Sequence, residues 1–404
     1  SIFSKKTATN EPRNAIIFTG IIIIVAIFLG NLDFLASLIT MFFLITYGML
    51  NFVVYVQQKM KIISFRPSLQ INSLIPLTGF IGCLVIMFLI NPVFSIVAIL
   101  TIFAIYIWLG RLQLSSNEGD IRSGIFLTLA EKAIQLADKF PKNQASWKPD
   151  LLIPIEDPDK WNGPLNFIHD MTYPSGSIRA FTVKEHPTVK DTENMENLFK
   201  NVKKDILTNH TVIEDNDFLQ GAKIVIQSTN LSPFPPNILF LTISSKNNND
   251  DLMNELVDHA VNNNLGLAIL ARHHLIKNEG ERNINLWLRD RSPNWHLAVL
   301  IALKLNLNWK GNLNLITVGH DEKDVSRLYE LLVDITKKTR MPSHTEIKVL
   351  TGEFEQAVKD APQADINIFG TGTQLYYEFM RKAPELSNSA CLFIKDSGSE
   401  SAFA

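Results

Sequence analysis

Hydrophobic and polar positions follow two regimes along the chain, and the change falls near residue 112. Before it, residues 14–32, 34–58 and 67–110 contain no charged side chain. A membrane-crossing helix takes roughly 20 apolar residues, so the first two runs predict one helix each. The third run is 44 residues long, with "NPVF" at 91–94 as a hairpin turn in its middle, and predicts two. The four crossings are expected at about 15–31, 34–56, 70–90 and 93–110.

After Arg111 the pattern changes twice. Residues 115–140, with apolar positions at Ile121, Ile125, Leu129, Ile134 and Leu136, read as an amphipathic helix that "PKNQASWKPD" ends. From Asp150 onward short apolar runs alternate with helical stretches. Strands are expected at 151–155, 178–183, 223–227, 238–243, 265–270, 284–288, 313–318, 346–350, 366–369 and 391–394. Helices are expected at 189–206, 250–263, 295–305, 322–339, 353–361 and 375–382. Continuous apolar strands separated by helices predict an open, mostly parallel α/β sheet buried on both faces. The organisation that follows is 1–113 membrane helices, 114–149 connecting helix and linker, 150–278 a first α/β subdomain and 279–404 a second. The boundary between the last two falls near "KNEGER" at 277–282, and "SKNNND" at 245–250 is a surface loop.

Charge orients this plan. Only nine of the 78 charged residues precede residue 114: Lys5, Lys6, Glu11, Arg13, Asp33, Lys59, Lys61, Arg66 and Arg111. The first part sums to +5 and the rest to −7, giving the overall −2. The basic residues flank the first helix, the loop between the second and third, and the end of the fourth, whereas "NLDF" and "NPVF" have none. The positive-inside rule therefore predicts a multi-pass protein of the cell membrane with both terminal segments in the cytoplasm. The N-terminal "SIFSKKTATNEPRN" reads as a loop leading into a helix, not as a signal peptide. Two cysteines, Cys83 and Cys391, form no disulfide framework and fit a reducing compartment. A mildly acidic α/β half argues against nucleic-acid binding.

One apolar run holds candidate chemistry. "FFLITYGMLNF" at 42–52 places Thr46, Tyr47, Gly48 and Asn51 at lipid depth, where polar groups need a partner. Gly48 and Asn51 are expected to serve helix packing. Tyr47 lies away from the interfacial belt, and its hydroxyl is an uncharged donor suited to a desolvated anion. In the α/β half, "GTGT" (Gly370, Thr371, Gly372, Thr373) sits between a strand and a helix, where amides could receive a phosphate. It lacks the full G-x-G-x-x-G, and a plain strand-to-helix turn is the competing expectation. His273 and His274 are adjacent and have no carboxylate or cysteine set around them, so no metal site is expected. "HDMTYPSG" at 169–176 pairs a His with an Asp but supplies no nucleophile. No enzyme, catalytic residue or cofactor is expected.

The order of these pieces resembles the C-terminal portion of the cation-chloride cotransporter family, the sodium-potassium-chloride and potassium-chloride cotransporters. The resemblance is carried by "NEPRNAIIFTG" at 10–20, "NLDFLASLITMFFLITYGMLNFVVY" at 31–55, "FRPSL" at 65–69 and "SWKPDLLI" at 146–153. "NINLWLRDRSPNWHLAVLIALKLNLNWKGNLNLITVG" at 283–319 and the ending "ACLFIKDSGSESAFA" complete it. It implies the last four helices of a twelve-helix inverted-repeat transporter of the amino acid-polyamine-organocation type, followed by the cytoplasmic domain. The function implied is symport of chloride with sodium and/or potassium, with Tyr47 as a chloride contact, the lipid bilayer as surroundings and a homodimer as the assembly. The family's cation-binding helices lie outside this stretch, so the chain is expected to be a fragment that does not transport alone. The competing expectations are an accessory subunit acting by association, or a sensor whose α/β domain binds a nucleotide.

Overall fold

A computed structural model describes residues 13–29, 32–60, 71–111, 121–137, 139, 147–200, 202–229, 231–232, 234–243, 250–271, 282–290 and 295–403. The chain divides into two compact units, Ser1–Phe140 and Pro141–Ala404.

The first unit is helical: α1 (Arg13–Leu29), α2 (Leu32–Met60), α3 (Leu74–Ile90), α4 (Pro92–Arg111) and α5 (Ile121–Ala137). The first four lie on the four expected crossings, α3 and α4 sharing the third apolar run. The α3–α4 turn forms because Asn91 Oδ1 accepts the amide of Phe94 at 3.0 Å, with Pro92 opening α4, a first-turn position where its absent N–H is not needed. Ser95 is fully buried and shares its hydroxyl between the carbonyls of Met87 and Asn91, both at 2.8 Å. Among the described residues, one stretch, Ile39–Lys59, is long and apolar enough to cross a membrane. α3 has 17 residues, which rise about 26 Å.

The second unit is built around a sheet. Its first half runs β1 (Asp150–Pro154), α6 (Asn162–Thr172), β2 (Ser177–Lys184), α7 (Val189–Phe199), β3 (Leu207–Glu214), α8 (Phe218–Thr229), β4 (Ile238–Ile243), α9 (Asp250–Asn262) and β5 (Gly266–Ala271). The second half repeats the plan with β6 (Arg282–Trp287), α10 (His296–Trp309), β7 (Lys310–Gly319), α11 (Glu322–Lys338), β8 (Glu346–Thr351), α12 (Phe354–Asp360), β9 (Ile366–Gly370), α13 (Tyr377–Ser387) and β10 (Ala390–Lys395). The sheet order is β3-β2-β1-β4-β5-β10-β9-β6-β7-β8. Each half thus has the order third-second-first-fourth-fifth, and the halves face each other as approximate twofold copies. Every neighbouring pair is parallel except β5–β10, which is antiparallel with Phe393 opposite Ile269. The α/β subdomains are therefore not two sheets but two halves of one.

Buried side chains form a core on each face of this sheet, and both cores draw on both halves. One joins Phe167, Met195, Leu297 and Leu332 from α6, α7, α10 and α11 to strand residues such as Ile153, Leu286 and Leu392. The other joins Val225, Leu256, Val358 and Met380 from α8, α9, α12 and α13 to Leu239, Ile269 and Phe393.

Three sequence expectations are corrected. The apolar run 223–227 is not a strand but part of α8, where Ala222, Val225 and Ile226 are buried and Ile224 is exposed, a helical rather than a strand period. The strand is instead β3, at the sheet edge, whose polar run "TNHT" hid it. The helix expected over 189–206 ends at Phe199, and a short 3-10 turn, Val202–Lys204, follows.

The second half carries a buried asparagine ladder. Asn314, Asn285 and Asn367 stand in register on β7, β6 and β9. Asn314 Nδ2 donates to Asn285 Oδ1 at 2.8 Å, and Asn285 Nδ2 donates to Asn367 Oδ1 at 3.1 Å. Asn367 Oδ1 also accepts Trp287 Nε1 at 2.8 Å, and its Nδ2 donates to Ser389 Oγ at 2.6 Å. Replacing Asn367 by Leu leaves the Trp287 indole without an acceptor and takes from Ser389 its closest donor. An orphaned buried polar group costs about 1–3 kcal/mol. Asn367→Leu is expected to lower the stability of a 141–404 fragment by about 2–4 kcal/mol in urea unfolding; an unchanged midpoint would show that the ladder contributes nothing net.

Candidate functional site

The polar interruption of α2 divides between two sides of the helix. Gly48 is buried against α3, where an added Cβ would meet Cys83 at 3.4 Å. One turn on, Asn51 lies over Gly79 of α3, so closely that a Cβ there would stand 2.8 Å from Asn51 Oδ1. The Asn51 amide donates to the Tyr47 carbonyl of its own helix at 2.9 Å. Gly48 and Asn51 are thus at the α2–α3 contact. Tyr47 points elsewhere: it is 56% exposed and stacks only along its own helix on Phe43, at 6.3 Å. Among the described residues its hydroxyl has no hydrogen-bond partner, so α2 presents an unspent donor at mid-length.

The "GTGT" segment belongs to the other unit. Gly370 ends β9, and the Thr371 amide donates to the Ile394 carbonyl at 2.7 Å. Helix α13 opens only at Tyr377, with Tyr376 before it and no side-chain cap. The segment therefore does not run from strand straight into a helix N-terminus, and at least one of its amides is already committed to the sheet. Above it, on the same face, Trp287, Phe354, Phe369, Phe379 and Phe393 form a continuous aromatic cluster with ring centroids 5.4–6.1 Å apart.

The His-Asp pair at 169–170 is a fastening between the two half-sheets. Asp170 Oδ2 accepts Arg282 Nη1 at 2.9 Å and Trp309 Nε1 at 2.7 Å, and the guanidinium lies 5.1 Å from the Trp309 ring. Asn308 donates to the Asp170 and Tyr173 carbonyls. His169 stacks on Tyr173 and stands 3.4 Å from Asp170 Oδ1. The adjacent His273 and His274, the boundary at 277–281, most of "SKNNND", "FRPSL" and the basic residues Lys5, Lys6, Lys61 and Arg66 lie outside the described residues. Among the described residues no group of three or more His, Cys, Asp or Glu could hold a metal ion.

Three titratable side chains of the α/β unit are strongly perturbed. Burial pushes the Cys391 thiol up to about 12, leaving it unreactive. Burial, with Asp250 nearby, also raises the Tyr377 phenol to about 12, and its hydroxyl bonds Asn254 Oδ1 at 2.8 Å. Asp396 accepts the first amides of α10, His296 at 3.0 Å and Leu297 at 3.1 Å. Burial, with the Glu400 carboxylate adding to it, pushes Asp396 up to about 6 against those two bonds. His296, lowered by burial, accepts the Ala402 amide through Nδ1 at 3.1 Å, and Trp295 and Phe403 enclose its ring. These groups hold the last residues onto α10 and converge on no open cleft. The sequence reading missed both the Asp396 cap and the asparagine ladder. The ladder did leave a signal, a single Asn inside each of the apolar strands "NINLW", "NLNLI" and "INIF".

Comparison with known proteins bears on both units. Residues 153–277 match the family "Prokaryotic cation-chloride cotransporter, C-terminal domain, 1st", residues 280–403 match the second such domain, and residues 1–129 match "Amino acid permease". The mouse protein "Solute carrier family 12 member 2" is 25% identical over 242 residues, 57% of this chain and 20% of its own length. "Cation-chloride cotransporter 1" of rice (Oryza sativa subsp. japonica) is 30% identical over 144 residues, 35% of this chain and 15% of its own. The chain thus spans about a fifth or less of the curated relatives it matches. The solved cytoplasmic domain of a prokaryotic cation chloride cotransporter superposes with a TM-score of 0.58 at 26% identity, covering 63% of this chain and 98% of that one.

The raised Asp396 has a testable consequence. Between its unfolded value of 3.8 and about 6 the folded unit holds a proton that the unfolded chain has lost. The stability this group contributes is full below pH 3.8 and is lost as pH rises through about 6. Asp396→Asn removes the buried charge and keeps one oxygen, so one of the two α10 amides loses its acceptor at either pH. The stability difference between variant and wild-type 141–404 fragment is expected to be about 1–3 kcal/mol more favourable at pH 8 than at pH 4, read from urea midpoints at the two pH values. His296 has the opposite sign and is common to both proteins.

Proposed function

The chain belongs to the cation-chloride cotransporter family, and from that membership we propose that it is the C-terminal part of a secondary active symporter moving chloride with sodium and/or potassium. A membrane-linked helical part followed by an α/β domain is what the matched regions have in common with that family. The family is one of transporters, not enzymes. On this reading α1–α4 cross the cell membrane, both terminal segments and the α/β unit are cytoplasmic, and the α/β unit pairs with a second copy.

The observation that carries the ion assignment is Tyr47. Its neighbour Gly48 is buried on α3, whereas the tyrosine is more than half exposed and its hydroxyl has no partner among the described residues. In a bilayer such a donor is stable only against water, protein or a bound anion. We assign it to chloride. An uncharged donor suits this role, because it stabilises the anion without binding it so tightly that release stops.

The test is uptake into proteoliposomes by the full natural polypeptide, with rubidium and sodium as tracers. Tyr47→Phe removes one hydrogen bond to an anion, worth about 1.5–3 kcal/mol. The KM for chloride is expected to rise by roughly 10-fold or more, with expression and the α2–α3 contact intact. A chloride KM that does not move would remove Tyr47 from the site, and chloride-independent uptake would remove chloride from the function.

A further inference from the structure

The α2–α3 contact reaches the backbone of Tyr47. Among the described glycines of the helical unit, an added Cβ would find open space at Gly20 and Gly82, and ordinary contact at Gly48. At Gly79 it would not fit. It would stand 2.8 Å from Oδ1, 3.0 Å from Cγ and 3.2 Å from Nδ2 of Asn51. All three atoms of that carboxamide therefore occupy the space a side chain at 79 would take.

The same carboxamide donates through Nδ2 to the Tyr47 carbonyl at 2.9 Å. An asparagine between packed membrane helices is expected to bond across to its neighbour. Here it bonds back to its own helix, at the tyrosine. That carbonyl belongs to the peptide joining Tyr47 to Gly48, and Gly48 faces Cys83 and Phe80 of α3. Phe52 and Phe80 complete the contact, with ring centroids 5.0 Å apart. At about 100° per residue, Asn51 stands about 40° around α2 from Tyr47. Tyr47 thus flanks the contact, and its hydroxyl, at the end of a long side chain, moves further than the backbone when α2 turns. Its ring rests on Phe43 one turn back, while Asn51 holds its backbone from one turn on.

We propose that Asn51, seated on Gly79, is the positioning residue for the Tyr47 hydroxyl. The seat on α3 and the bond to the Tyr47 carbonyl together fix the rotation of α2, and so the direction in which the donor meets chloride. The inference rests on the chloride reading of Tyr47. Packing alone accounts for a glycine at 79 but not for an amide at 51, because an apolar side chain would fill the same space without a polar group at lipid depth. Supporting contacts of this kind hold a binding group to within about 0.5 Å of its working position.

The experiment uses the full natural polypeptide in proteoliposomes and reads the chloride KM separately from the maximal rate. Gly79→Ala drives the carboxamide off its seat. It is expected to raise the chloride KM about three- to tenfold, part of what loss of the hydroxyl costs, at an unchanged maximal rate. In a Tyr47→Phe background it is expected to add nothing. Asn51→Ala removes the same bond without a clash, and the same rise is expected of it even where Gly79→Ala fails to insert. The rescue combines Gly79→Ala with Asn51→Ser. A serine hydroxyl donates to the carbonyl four residues back, as Ser95 does to Asn91 at 2.8 Å, and leaves room for the added methyl. That pair is expected to return the KM to within about twofold of the wild type.

An unmoved KM in Asn51→Ala, beside a raised one in Tyr47→Phe, overturns the proposal and leaves the chloride reading standing. An equal rise from Gly79→Ala with and without the tyrosine hydroxyl also overturns it, as does a rescue pair no better than Gly79→Ala alone; either makes the contact one of packing only. A KM that Tyr47→Phe does not move removes the chloride reading itself, and this inference with it.

Discussion

The α/β unit depends on one pairing, the antiparallel seam between β5 and β10. Each half-sheet by itself would end in an edge strand of apolar side chains, "GLAILA" in β5 and "ACLFIK" in β10. Such an edge exposes a row of unpaired amides and carbonyls and invites association with other chains. Pairing the two edges with each other satisfies both at once. It also makes both cores continuous across the seam, so that neither half buries its side chains without the other. The Asp170–Arg282–Trp309 fastening on the helical layer closes the same junction away from the sheet.

Much of this was legible in the residues, and the exceptions share a cause. Nine of the ten strands fall on expected runs, because a parallel strand buried on both faces reads as an uninterrupted apolar stretch. The tenth, β3, is an edge strand with four polar residues in a row, "TNHT", and the short run in α8 took its place. A five-residue apolar run cannot by its period distinguish strand from helix. Helix α6 went unread because "NGPLNF" is rich in residues that favour turns, although Pro164 sits in the first turn, where a helix tolerates it. The seam itself has no local signature at all. Which edges meet is decided by the whole sheet, not by any segment.

In the helical unit, chemistry at lipid depth suggested Gly48 and Asn51 as packing residues and Tyr47 as a donor; Gly48 and Asn51 lie at the α2–α3 contact and Tyr47 is exposed, and its ion-binding role is a proposal. The phosphate-loop expectation at 370–373 rested only on glycine spacing. In the fold that spacing serves a strand-to-helix connection beside an aromatic cluster, and Thr371 is tied to β10.

The duplicated plan of the sheet has a consequence for how its two halves can differ. Two identical chains meeting at such a seam would have to repeat every residue on both sides, and any change would appear twice. Here the halves are one polypeptide, so each position is free to vary alone. The second half has used that freedom: Asn285, Asn314 and Asn367 cross its strands in a row, while the aligned strands β1 and β4 of the first half carry Leu152 and Leu239 in the core. A slip of one residue in the second half would break every bond of the row together, whereas the corresponding core positions of the first half are apolar and its buried cross-strand side-chain bond, Ser177 to Asp150, lies at the strand ends. The domain therefore pairs a half with a row of hydrogen-bonded amides across its strands with a half whose corresponding positions are apolar, an asymmetry open to a fused pair and closed to a symmetric dimer.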